Sequence, residues 1–256
     1  MVSRPRARLV VPALATALLA GCTSGSAVRP LGDTVTAGEA AVLAELLHRD
    51  FQQGGAAFVA TAPYGTDAIL TLTGDVDFRH FVGRAQAVTS FGDGSPDDTR
   101  TVFFTPTDLW VGDVPSLAAA LAQAGSPKGA YLRRPFTAAT ATPGSPLLDV
   151  LAQMVVGLSS TSGDDPRYFR DGTTTWQGQR SIDSRLASMY RLHDGRTVAV
   201  ATAGQLLLQY ASPMRGHAFT VTVTLSAQGP RSVELPADDT TVAAADQPLI
   251  AAAAGV

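Results

Sequence analysis

Cys22 is the only cysteine in the chain of 256 residues, and it directly follows Leu19-Ala20-Gly21. A thiol behind small residues suits one kind of chemistry, acylation at a cleavage site. Arg4, Arg6 and Arg8 precede an apolar run from Leu9 to Ala20 interrupted only by Pro12 and Thr16. These are the charged and hydrophobic regions of a secretory leader. Residues 1–21 are therefore expected to be a leader of the lipobox type, with Cys22 acylated and forming the new N-terminus. An ordinary signal peptide with a cysteine beside its cleavage site is the alternative. With Cys22 committed to lipid, no cysteine remains for a disulfide, a nucleophile or a thiolate metal site.

Other reactive side chains form no recognisable set. His48, His80, His193 and His217 show neither H-x-x-x-H nor H-E-x-x-H spacing, and His193 precedes the turn pair Asp194-Gly195. The sequence contains no G-x-S-x-G elbow, P-loop or dinucleotide fingerprint. Gly92-Asp93-Gly94 reads as a hairpin turn, and the spacing of Asp93, Asp97 and Asp98 does not match a calcium loop. No catalytic residue, metal ligand or cofactor is expected on these grounds, and the chain is read as a non-enzyme. An enzyme with its site scattered over loops is the remaining alternative.

Charge narrows the partners. Three arginines leave with the leader, so of 19 basic residues 16 stay against 22 acidic ones, a net charge of −6. That sign argues against nucleic acid, whose affinity rests on clustered Lys and Arg. Beyond the leader there is no run of eighteen apolar residues that would span a membrane.

The elements that must position any site follow in order. Residues 22–35 are rich in Ser, Gly, Pro and Thr and read as a flexible tether. Thr36-Ala37-Gly38-Glu39 has the capping-box form and opens a helix through Leu43, Leu46 and Leu47 that should end near Gly54-Gly55. Strand signals lie at 56–62, 68–73, 81–91 and 101–105, separated by turn residues such as Gly74-Asp75 and 92–97. Helical spacing appears after Val114-Pro115-Ser116 and again over Leu147–Leu158, with a short strand at 130–133 between them and a loop at 137–146. Strands are then expected at 173–179, 186–192, 197–202 and 205–210, and 217–226 alternates cleanly. Compact turns imply antiparallel pairing. The expected fold class is α+β: a long curved antiparallel sheet with helices on its concave face. The domain is expected over 36–240, with 241–256 an alanine-rich tail.

Three features in this order resemble the LolA/LolB-like lipoprotein carriers, especially the actinobacterial LppX/LprG branch. They are the lipobox with its polar tether; the helix Leu147–Leu158 followed by Arg170-Asp171-Gly172 and a strand with Trp176 and Gly178; and the pair Gly204–Tyr210 and Val221–Pro236. The resemblance implies an unclosed β-barrel whose concave face is plugged by helices around an internal lipid pocket. It also implies binding and carriage of a lipid or glycolipid. Such a protein is lipid-anchored on the extracytoplasmic face of the cell membrane, with an envelope transporter or regulator as a further partner. A sensing module of the same fold that binds a protein partner is the competing reading. Phe58, Leu70, Leu72, Phe103, Leu151, Met154 and Val155 are the candidates for cavity walls, each equally suited to a filled core. Trp110 and Trp176 are either sheet residues or part of such a wall.

Overall fold

The computed structural model describes residues 29–64, 67–136, 146–214 and 219–256. Cys22, His217 and most of the expected loop at 137–146 lie outside these. Residues Leu31–Val256 form one compact unit.

Helix α1 (Ala37–Gln53) begins as its capping box requires. The Thr36 Oγ1 accepts from the Glu39 amide at 3.3 Å, and Glu39 Oε2 accepts from the Thr36 amide at 2.8 Å. Its C-cap, Gly54, takes φ = 94° and donates back to the carbonyls of Asp50 and Phe51. A left-handed cap of this kind is where glycine costs least. Next to it, a Cβ on Gly55 would lie 2.4 Å from the Val76 carbonyl oxygen, so the helix can pass this closely into the first strand only without a side chain.

Five strands form a meander: β1 (Gly55–Tyr64), β2 (Ala68–Asp77), β3 (Val82–Phe91), β4 (Asp98–Phe104) and β5 (Asp108–Gly112). Helix α2 (Leu117–Gln123), strand β6 (Tyr131–Pro135) and helix α3 (Leu147–Val156) follow. A second meander comprises β7 (Thr175–Ile182), β8 (Arg185–Arg191), β9 (Thr197–Ala201), β10 (Leu207–Pro213) and β11 (Thr220–Ser226). The chain closes with β12 (Thr241–Ala243) and α4 (Pro248–Ala253). All twelve strands belong to one sheet in the order β12-β6-β5-β4-β3-β2-β1-β11-β10-β9-β8-β7. Pairing is antiparallel throughout except for β12 beside β6. The sheet is curved and unclosed, with β12 and β7 at its edges. This is the α+β arrangement the sequence predicts.

Alternation decides which face is dry. Phe58 and Ala60 of β1, Leu70 and Leu72 of β2, Val102 and Phe104 of β4, and Val221, Val223 and Leu225 of β11 all enter one core. Helix α3 covers them with Val150, Leu151, Ala152, Val155 and Val156, and α1 adds Ala40, Leu43 and Leu46. The two helices therefore occupy the inward face of the sheet. The Arg134 guanidinium of β6 holds α3 in place by a bidentate bond to Asp149, at 2.8 and 2.6 Å, with Asp149 almost wholly buried.

Several segments differ from expectation, among them Gly74-Asp75, read as a turn, which lies inside β2 and pairs with both β1 and β3. Strand β5 is absent from the sequence reading because five residues with Leu109, Trp110 and Val111 all buried carry no alternation. Segment 241–256, expected as a tail, is built into the fold. Its β12 pairs with β6, and Ala251 and Ala254 pack with Leu117, Leu121 and Leu132 in a second core. The end of the expected tether is also ordered: Gly32 and Asp33 exchange backbone bonds with Trp176, and Val35 reaches the main core.

Candidate functional site

Helix α1 places Leu43, Leu46 and Leu47 at spacings of three and four, so they share one stripe. That stripe faces a groove of about 310 Å³. The opposite wall comes from the β8–β9 turn, through Leu192, His193 and Arg196, and from Val198, Leu207 and Tyr210 of the sheet. Asp164, Tyr168 and Phe169 complete the rim.

Backbone bonds hold this rim to the helix. The Asp164 amide donates to the Ala44 carbonyl at 2.8 Å, and the Ser160 amide donates to that of Leu47 at 3.1 Å. The Asp165 carboxylate then caps the short 3-10 turn Pro166–Phe169, accepting from the Arg167 amide at 2.9 Å. Leu43, Leu46, Val198 and Leu207 are buried, whereas Tyr168 is 72% exposed at the mouth. The groove therefore has an apolar floor and a polar margin.

Arg196 is the main charge on that margin. Its Nη1 donates to the Tyr210 hydroxyl at 3.3 Å, and the guanidinium pairs with Asp194. Burial works against its positive charge, but the Tyr210 hydrogen bond and the field of Asp194 outweigh it and raise its pKa. Arg196 thus stays charged beside an apolar floor, with exposed His193 next to it. Such a site can bury a hydrocarbon chain and hold an anionic or polar head at its edge.

The expected wall residues lie elsewhere. Phe58, Leu70, Leu72, Leu151 and Val155 share the main core, and Met154 packs at its margin. Phe58 meets Phe104 edge-on, with ring centroids 6.2 Å apart. None of these residues lines the α1 groove. Phe103 is on the outer face, edge-on to Tyr131 at 5.7 Å. Trp110 is also there, under the Arg133 guanidinium at 5.0 Å, while Trp176 packs against the main core. The groove residues were harder to find in the sequence because they come from α1, a loop with its 3-10 turn, the β8–β9 turn and two strands. The available signal was the leucine stripe of α1, which served only to assign a helix.

The remaining singled-out side chains have local roles. His48 bonds the Ser160 carbonyl at 3.2 Å and Gln52 at 2.8 Å, and His80 bonds Asp77 at 2.8 Å. Asp93 accepts from the Ser95 amide at 2.9 Å, which holds its carboxyl below the usual range. Among the described residues, no three His, Cys, Asp or Glu side chains come together to hold a metal ion.

No protein-family model and no curated protein matches the sequence. Among solved structures the chain is similar to LprF from Mycobacterium bovis, at 12% identity and a TM-score of 0.44, covering 80% of this chain and 99% of that one.

Proposed function

We propose that this protein is an exported, membrane-anchored lipoprotein that binds a lipid or glycolipid, burying one acyl chain in the groove between α1 and the β8–β10 part of the sheet. The single observation that carries this reading is the groove itself: leucine-floored, about 310 Å³, with a charged arginine at its rim. That volume falls at the lower end of the roughly 300–1,000 Å³ usual for ligand pockets. Hydrocarbon burial there contributes roughly 0.8 kcal/mol per methylene, enough to retain an amphiphile without any chemistry on it. Arg196, His193 and the Tyr210 hydroxyl would receive the head group.

The leader and Cys22 support the anchoring half of this reading. One acyl chain gives only marginal membrane binding, so stable anchoring needs two or more on Cys22. Residues 22–30 then span at most about 30 Å when extended, which keeps the groove close to a membrane that supplies or receives its ligand.

The test is recovery of ligand. The full chain is purified from its native host and its extracted lipids are analysed by mass spectrometry. A stoichiometric amphiphile is expected. A folded protein that is repeatedly empty, and that takes up no added fatty acid or lysophospholipid, overturns the reading. Metabolic labelling with palmitate tests the anchor separately: label is expected on the wild type and lost in Cys22→Ala.

A further inference from the structure

The chain between β11 and β12 crosses the outer face of the sheet as a strap without regular secondary structure over 227–237. One end is pinned by the Gly229 amide on the Gly55 carbonyl at 2.9 Å and by Arg231 on Asp75 at 2.9 Å. The other is pinned by the Ala130 amide on Thr240 at 2.8 Å and by Lys128 on Asp239 at 3.0 Å. Between these anchors, residues 232–236 make no hydrogen bond to the sheet among the described residues. They stand off it and leave a cavity of about 630 Å³.

The sheet side of this cavity presents Asp75, Arg84 and Phe103. Asp75 and Arg84 are directly opposed across β2 and β3, the arrangement of a cross-strand ion pair. Yet Asp75 is bound by Arg231 instead, and among the described residues Arg84 has no carboxylate partner. Its guanidinium lies over the Phe103 ring, 5.4 Å from the centroid, and Phe103 is itself buttressed by Tyr131. Stacking fixes the plane of an arginine while leaving its N–H fork free, the geometry that grips a carboxylate or phosphate at two points. Apolar surface from Phe103 and Leu235 lies in the same cavity, together with two carboxylates, Asp75, which Arg231 neutralises, and Glu234, for which no ion pair is seen among the described residues.

We infer that this outer cavity is a second binding site, for a small oxyanion, a carboxylate or phosphate monoester, that carries an apolar group. Arg84 takes the anion, Phe103 and Leu235 take the apolar part, and the strap covers the ligand. The site lies on the opposite face of the sheet from the α1 groove and is independent of what that groove holds.

Isothermal titration of the purified full-length protein with phenyl phosphate and with phenylacetate tests the assignment, inorganic phosphate and acetate serving as probes without the apolar group. Saturable binding of at least one aromatic probe is expected, at least tenfold weaker for the matching inorganic phosphate or acetate. Arg84→Gln should weaken binding at least tenfold, with unfolding midpoints unchanged. Glu234→Gln should tighten binding by removing the repelling charge, a change that no loss of fold could mimic. Absence of saturable binding by the wild type overturns the proposal, as does a folded Arg84→Gln variant that binds like the wild type.

Discussion

Asp50 shows how one side chain can set a pH dependence without taking part in the site. It lies on α1 one turn beyond Leu46 and Leu47, is fully buried, and neither carboxyl oxygen has a hydrogen-bond partner among the described residues. Burial pushes its pKa well above the ordinary value, and the nearby Leu207 amide, which favours the charged form, does not offset it. The folded protein therefore holds a proton that the unfolded chain releases above about pH 3.9. Its contribution is intact below that pH and is lost as pH rises towards the folded-state pKa. Asp50→Asn, nearly the same shape without the ionisation, should raise the melting temperature at pH 7 and leave it close to the wild type near pH 3. A thermal unfolding series across pH checks this; an equal shift at both ends contradicts it. The residue carries no sequence signal, because an aspartate near a helix C-terminus looks exposed until the sheet behind it is known.

Among the elements, α3 is tied to β6 by a buried ion pair, Arg134–Asp149. Truncating one member of such a buried pair costs about 3–5 kcal/mol by leaving a charge without its partner. Asp149→Ala should therefore lower stability by that amount in urea unfolding, while the double variant Arg134→Met with Asp149→Leu should recover most of it. Failure of the double variant to recover would mean that the cost comes from packing and not from the stranded charge. The last sixteen residues make the same point. Removing 241–256 takes β12 from β6 and uncovers Leu117, Leu121 and Leu132, so the truncated chain should unfold at lower denaturant and bind more hydrophobic dye. Helix α1 was legible to the residue in Thr36 and Glu39, and β11 in its alternating Val221, Val223 and Leu225. Those signals are local. The tail was not legible, since Ala251 and Ala254 bury almost no side chain of their own and acquire a role only from the leucines opposite them.

On the scale of the whole molecule, an unclosed twelve-stranded sheet has two faces and leaves space on both. The inward face is covered by α1 and α3, and among the described residues a groove lies beside α1 against β9 and β10. Sequence reasoning identified the face and the helices. It left Phe58, Leu70, Leu72, Phe103, Leu151, Met154 and Val155 open as cavity wall or filled core, because an apolar residue reads the same whether it lines a space or fills one; of these, Phe58, Leu70, Leu72, Leu151 and Val155 belong to the main core. Occupancy of the α1 groove is the central claim, and photolabelling with a diazirine fatty acid tests it most directly. Saturable adducts are expected on peptides from α1 and from residues 192–210, suppressed when Val198→Trp fills the groove without unfolding the protein. Labelling that is absent, or that falls elsewhere and persists in the folded Val198→Trp variant, would contradict it.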